Sequence, residues 1–339
     1  MQSRSSRVCP LLYYYTSRVR IWISADVMLS SKGVFGVLNV KAAIARLLIP
    51  PTRLVTRYVR RSRRWLWSHL IGPYLSWRDY RFKVNTEFGV LIEGTTSDNI
   101  QRYVYYFGIW EPNVHAFLRA RLQPGDTFID VGANIGYFTL LAAKLVGPQG
   151  RVVAIDASTL AFEQLKANVA RNRMESVVRC VHAAASDSEG IATLYAGQED
   201  NIGTASIIRE AGKTSEKVRS LPLEALLLPA EICAARVIKI DVEGAERLVL
   251  KGMESVLSRL RPDGEIVMEI TPELNGGESI LQVLAGHGWN AYALMPHDSL
   301  ESYFTQVRLA HAVRICSPIV KRTDVLFSRM TADRITYPL

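Results

Sequence analysis

The chain has 339 residues, 48% of them hydrophobic, enough to bury a full core in one large domain or two small ones. Its net charge of +9 sits at one end: residues 1–80 carry 14 Lys or Arg against only Asp26 and Asp79, so the remainder is mildly acidic. Four scattered cysteines with no CxxC pair argue against a disulfide framework or a zinc site, and the default setting is a reducing, cytoplasmic one.

The basic end comes first in the chain. No stretch of about 18 apolar residues is free of charge, because "GVFGVLNVKAAIARLLIP" is interrupted by Lys41 and Arg46. The first residues also fit a secretory signal poorly, since Arg18 and Arg20 fall where its apolar region belongs, and Met28 is a second candidate start. Residues 1–79 read as a basic, aromatic-rich helical region, with arginines alternating with apolar rings in "RYVRRSRRWLWSHLIGPYLSW". One reading packs these helices on the main domain. Another lays them on the inner face of an anionic membrane, with Trp65 and Trp67 buried and Arg60, Arg61, Arg63 and Arg64 at the headgroups. Nucleic acid is not an expected partner, because the basic patch lacks a recognised binding module.

At Tyr80 the texture changes, and residues 80–339 read as one catalytic-type domain. "YRFKVN" and "GVLIEG" form a predicted hairpin, and "DNIQRYVYYFGIWEPNVHAFLRARL" carries helical spacing. After Gly125, apolar strands alternate with amphipathic helices: "TFIDV", "RVVAID", "VVRCVHAAA", "RVIKIDV", "EIVMEI" and "NAYALM" are the strands. Such strands predict a doubly wound α/β domain, its mostly parallel sheet covered on both faces. "IATLYA" and "KVRSLPLEALL" read as an insertion or edge strands.

Ligands of such sheets bind beyond the carboxyl ends of the strands. Asp130 ends the first strand of the alternating part, and Gly132, Asn134 and Gly136 occupy the turn into the next helix. A dinucleotide would call for G-x-G-x-x-G and a pyrophosphate on the helix start, whereas this turn is G-x-x-x-G with an acid two residues before it. The acid opposes a pyrophosphate and suits an amino or sulfonium group. Asp156, closing "RVVAID", is placed to accept hydrogen bonds from ribose hydroxyls. Adenosine joined to a cationic amino acid meets both demands, which points to S-adenosyl-L-methionine.

The blocks "PGDTFIDVGANIGYFTLLAA", "ASDSEG" and "IKIDVEGAERLVLKGM", in that order, resemble the FkbM-type family of S-adenosylmethionine-dependent methyltransferases over roughly residues 85–300. The resemblance implies a class I methyltransferase fold: a Rossmann-like, seven-stranded sheet with one reversed strand. It also implies O-methylation of small molecules or sugar hydroxyls. Carried over, Asp130, Gly132, Asn134 and Gly136 surround the methionine part of the cofactor, Asp156 holds the ribose, and Asp187 faces the adenine amino group. Asp156-Ala157 departs from the Glu-Pro common in the family at that place.

Methylating a hydroxyl requires acceptor and methyl carbon in line, water removed, and a group to take the proton. Asp241, Glu243 and Glu269 are the expected acceptor-side residues, with Glu246 as a first-turn helix acid. Glu111 either caps the helix begun by Pro112 or faces the cofactor, and His182, His287 and His297 are further candidate bases. No metal ligands are assigned, although adjacent carboxylates holding Mg²⁺ remain an alternative. The expected acceptor is a small molecule, sugar, glycan or glycolipid, selected in part by the stretch "GQEDNIGTASIIRE". The rival readings are a non-catalytic cofactor-binding scaffold and an NAD-dependent dehydrogenase.

Overall fold

The computed structural model describes residues 31–76, 78–195, 215–272, 277–295, 300–304 and 310–337. Two units are distinguished, Met1–Leu48 and Ile49–Leu339. The helix Ser31–Tyr58 supplies the described part of the first unit and opens the second.

The second unit thus begins well before the change of texture at Tyr80, for an identifiable reason. The helix Asn99–Phe107 starts on the side chain of Asp98, which accepts from the Gln101 N–H at 2.9 Å, and ends at Gly108 with φ 75°. Its last carbonyls lack partners within the helix. Arg53 donates to the Tyr105 carbonyl (3.1 Å), Thr56 to that of Tyr106 (2.7 Å) and Arg57 to that of Phe107 (3.0 Å). A side chain on Gly108 would put its Cβ 1.7 Å from Arg57 Nη1, so the glycine also clears the path of that arginine. Arg63 is buried and donates to the carbonyls of Thr56 and Tyr303, while the Trp67 ring packs against Tyr103 and Phe107. Arg63, expected in one reading at a membrane, is therefore an interior group of this unit, and Trp67, expected there too, is half-buried against it. Trp65 remains 61% exposed.

The strands in chain order are Arg81–Asn85 (β1), Leu91–Thr95 (β2), Thr127–Val131 (β3), Arg151–Asp156 (β4), Val178–His182 (β5), Ala184–Ser186 (β6), Gly190–Tyr195 (β7) and Ser215–Pro222 (β8). They continue with Ala235–Ile240 (β9), Glu265–Ile270 (β10), Asn290–Met295 (β11), Ala310–Arg314 (β12), Thr323–Ser328 (β13) and Arg334–Tyr337 (β14). β1 and β2 form the expected hairpin. The main sheet has the order β14-β12-β11-β13-β10-β9-β3-β4-β5. From β10 to β5 neighbouring strands are parallel, and β13 runs against both β10 and β11. The seven-stranded sheet with one reversed strand is present, and β12 and β14 extend its edge to nine strands, an addition with no counterpart in the sequence-based reading.

β3, β9 and β10 are buried at every position. This is what helices on both faces of a parallel sheet require, and it explains the near-continuous Val and Ile runs. The expected strand "VVRCVHAAA" divides at Ala183: β5 stays in the main sheet, and β6 joins β8 and β7 in a separate three-stranded sheet.

The chain passes from β3 to β4 on one side and later returns through β9 on the other side of β3. Loops leaving adjacent strand ends then diverge, which opens a crevice beyond the carboxyl ends of β3, β4 and β9.

Candidate active site

That crevice is an open cleft of about 980 Å³ when the solvent space at its mouth is counted in. Its walls come from the turns after β3, β4 and β9, from Ala183–Ala185 and Leu194, and from Trp110 and Glu111.

The β3 turn is shaped by packing. Gly132 has φ 81°, and a Cβ there would lie 1.8 Å from the Asp241 carbonyl oxygen, so only glycine lets the β3 turn pass the end of β9. Gly136 (φ 90°) faces Leu165, with a Cβ position 2.6 Å from Leu165 Cδ1. Both glycines permit a close chain-to-chain approach, and Gly132 also lines the cleft. Asn134, in the left-handed region at φ 50°, turns its N–H to Asp156 Oδ2 at 2.6 Å.

Asp156 lines the cleft and accepts a second bond from the Ser158 N–H at 2.9 Å. Burial pushes its pKa up to about 6, against the pull of these two N–H groups. Its carboxylate thus ties the β3 turn to the β4 end while facing the cleft. Around it, Ala157, Ala161, Ala183, Ala184 and Leu194 give an apolar surface suited to a flat ring.

Asp130 lies beneath the turn and does not line the cleft; only 1% of it is exposed. Its Oδ2 accepts from the Thr139 hydroxyl at 2.6 Å, and its Oδ1 is buried without a hydrogen-bond partner. Burial raises its pKa, with Lys239 and Thr139 opposing. Asp187 stands apart as well: it pairs with Lys251 Nζ at 2.8 Å, which holds its carboxyl low, and it is not among the cleft residues. The residues implied for the cofactor therefore divide into two that line the cleft with polar atoms (Asn134, Asp156), two glycines that shape it, one buried support (Asp130) and one partner of a surface lysine (Asp187).

Of the residues expected on the acceptor side, Asp241 and Glu243 both line the cleft in the turn after β9. Glu246 shapes that turn: its Oε1 accepts from the Val242 and Gly244 N–H groups at 3.1 and 3.2 Å. Beside Asp241 is a group the sequence reading missed. Lys239 is buried, faces the cleft, and places Nζ 2.9 Å from Asp241 Oδ2. It shares a face of the sheet with Asp130, its register partner on β3, and Nζ lies 5.0 Å from the Phe138 ring centre. Burial works against its charge, but Asp241, Glu111 and Asp130 outweigh it and hold the ammonium charged. In return, Lys239 overcomes the burial of Asp241 and keeps that carboxyl below its usual range. The legible signal was a lysine inside the apolar strand "VIKI", since a buried charge requires a partner.

Glu269 does not line the cleft; it pairs with Arg322, which does. The reversed strand explains this arrangement. Because β13 runs against β10, its beginning lies at the carboxyl end of β10, and Asp324 faces Glu269 directly. Burial raises both carboxyls above their ordinary values and Asp241 adds to each rise, with Asp324 adding to that of Glu269, while Arg322 opposes at both and the Asn113 hydrogen bond opposes at Asp324.

Glu111 precedes Pro112 at the helix Pro112–Arg121, but its side chain makes no capping bond. It sits at φ 40°, an unfavourable region for a non-glycine residue, and its N–H donates to the Tyr303 hydroxyl at 3.0 Å. Its side chain lines the cleft; burial raises its pKa well above the carboxylate range, Lys239 opposing and Asp324, Asp241 and Glu269 adding to the rise. Of its two expected roles, the strained backbone serves the one that faces the cleft.

His182 stacks on Phe162 outside the cleft, and His287 is exposed. His297 and the stretch at residues 197–210 lie outside the described residues. Among the described residues, no group of three or more His, Cys, Asp or Glu is placed to hold a metal, so the Mg²⁺ alternative has no support. Nor, among them, is any helix long and apolar enough to cross a membrane.

The description "Methyltransferase FkbM domain" matches residues 130–294. The 31-O-demethyl-FK506 methyltransferase FkbM of Streptomyces tacrolimicus is 32% identical over 202 residues, covering 51% of this chain and 75% of its own length. Methyltransferase sdnD of Sordaria araneosa is 29% identical over 154 residues, 44% of this chain and 54% of that protein. A solved SAM-dependent O-methyltransferase from Thermotoga maritima aligns at a TM-score of 0.37 and 11% identity, over 74% of this chain and 78% of that one, too loosely to bear on the fold.

Proposed function

The chain belongs to the FkbM methyltransferase family, and from that premise we propose that it transfers a methyl group from S-adenosylmethionine to a hydroxyl of a small molecule, sugar or glycan. The observation that carries this reading is one cleft with Asp156 and an alanine-lined surface at one end and the Lys239–Asp241 pair, Glu243 and Glu111 at the other. The residues fit the donor. Asp156 is an acceptor for two ribose hydroxyls, the alanines leave room for adenine, and the buried, unpartnered Asp130 Oδ1 adds negative potential beneath the turn that would hold the cationic amino acid. A relative whose name places its methyl on an oxygen supports a hydroxyl acceptor.

When bound, the donor supplies an electrophilic methyl carbon and a neutral thioether leaving group. Asp241, kept ionised by Lys239, accepts the hydrogen bond of the incoming hydroxyl and fixes its lone pair toward the methyl. As the C–O bond forms, the oxygen becomes a strong acid, so even a carboxylate of low basicity takes its proton. Glu111, whose carboxyl pKa burial raises, offers a hydrogen-bonding group across the acceptor, and Glu269 acts through Arg322, which it pairs with at the cleft.

The test is S-adenosylhomocysteine production with a panel of hydroxylated acceptors, comparing wild type with Asp241→Asn. The expected result is turnover by the wild type and a loss of at least about 100-fold in the variant, with donor affinity retained. Donor binding without turnover on any acceptor would favour the scaffold reading.

A further inference from the structure

The outward side of the last turns of the helix Ser31–Tyr58 is apolar where a surface helix is ordinarily polar. Thr52 and Thr56 are buried, and Arg53 and Arg57 are engaged at the carbonyls of Tyr105 and Phe107. On the other side Leu54 is 58% and Tyr58 77% exposed; Val59, next in the chain, is 50% exposed, and Trp65, in the short helix Arg63–Leu66 that follows, is 61% exposed. Leu54 and Tyr58 are four residues apart and share a face. Along the chain the charge around them has one sign. No acidic residue occurs from position 27 to 78, and Arg60 and Arg61 are exposed. The nearby acids come from elsewhere in the chain: Glu301 pairs with Arg64 and Glu87 with Arg57.

We propose that Leu54, Tyr58, Val59 and Trp65, with Arg60 and Arg61, dock the protein on an anionic lipid bilayer. Apolar side chains enter the acyl boundary while arginines meet the headgroups, a combination that neither a purely basic nor a purely apolar surface provides. The location adds meaning. Trp67 packs on Tyr103 (4.8 Å between ring centres), Tyr103 on Trp110 (5.6 Å), and Trp110 lines the cleft. Trp67, two residues on from the docking residue Trp65, thus links that segment to the cleft wall through two ring contacts. The docking itself does not depend on the methyl-transfer reading.

The experiment is cosedimentation of the full chain with vesicles of phosphatidylcholine alone and of phosphatidylcholine with phosphatidylglycerol. Binding is expected only with the anionic lipid, weakening as salt rises. Arg60→Gln/Arg61→Gln is expected to weaken partitioning on the order of 30-fold, and Tyr58→Ser/Trp65→Ser about tenfold, with unchanged melting curves. Several results overturn the proposal: no pelleting with either vesicle, equal binding to both, or variants that bind like the wild type. So does a dimer that the Tyr58→Ser/Trp65→Ser variant abolishes while vesicles are ignored, or binding to RNA in place of lipid.

Discussion

Lys239 Nζ lies 2.9 Å from Asp241 Oδ2, the two side chains two residues apart at the end of a buried strand. The pair carries opposite charges into the cleft floor, and removing one partner leaves the other buried and unbalanced.

Lys239→Met is therefore expected to lose about 3–5 kcal/mol of stability at neutral pH, measured by urea unfolding. The sign with pH is informative. In the wild type Asp241 is held low, so its contribution is present at neutral pH and fades as pH falls through that low value. Without Lys239, burial raises Asp241, so the variant recovers part of its deficit on acidification. A deficit that stays constant from neutral to mildly acidic pH would contradict the coupling.

Asp156 gives a second pH dependence. Its pKa of about 6 lies above the unfolded value, so the protonated form contributes stability at low pH that is lost as pH rises through about 6. Ligand binding runs the other way, because two hydroxyl donors need the ionised carboxylate. S-adenosylhomocysteine affinity is expected to fall about tenfold for each pH unit below 6, and Asp156→Asn to bind weakly with a flat profile. Calorimetric titration across this range checks both.

The two glycines of the turn are expected to differ. Gly132→Ala brings a Cβ against a backbone carbonyl at 1.8 Å, whereas Gly136→Ala meets the end of the Leu165 side chain, which can rotate. Both carry a positive φ that costs roughly 1–2 kcal/mol for alanine. Chemical denaturation should show Gly132→Ala as the more damaging, by at least about 2 kcal/mol.

Asp187 separates the family-based expectation from the geometry. Its carboxylate is taken by Lys251 outside the cleft. Asp187→Ala is therefore expected to leave S-adenosylhomocysteine affinity within about threefold of wild type by calorimetry, since an exposed ion pair contributes little. A loss of 100-fold would restore the adenine contact.

The strand, turn and helix from Thr127 to Val146, one wall of the proposed cofactor side, were legible in the sequence because they are contiguous. At Gly132 a second demand, the approach of the Asp241 carbonyl, comes from a residue distant in the chain and was not legible locally. The acceptor side was only partly legible. Asp241 and Glu243 follow a strand end directly, but Arg322 and Asp324 reach it only through the reversal of β13, which no local pattern announces. Lys239 was readable as a lone charge in an apolar strand, and the rule that buried charges are paired would have joined it to Asp241.

The most direct test of the central claim is calorimetric titration of wild type and Asp156→Ala with S-adenosylmethionine and S-adenosylhomocysteine at neutral pH. The expected result is micromolar binding of both ligands to wild type and a loss of at least about 100-fold in a variant that still folds. No binding to folded wild type, or equal binding to the two proteins, would contradict the assignment of this cleft as the cofactor site.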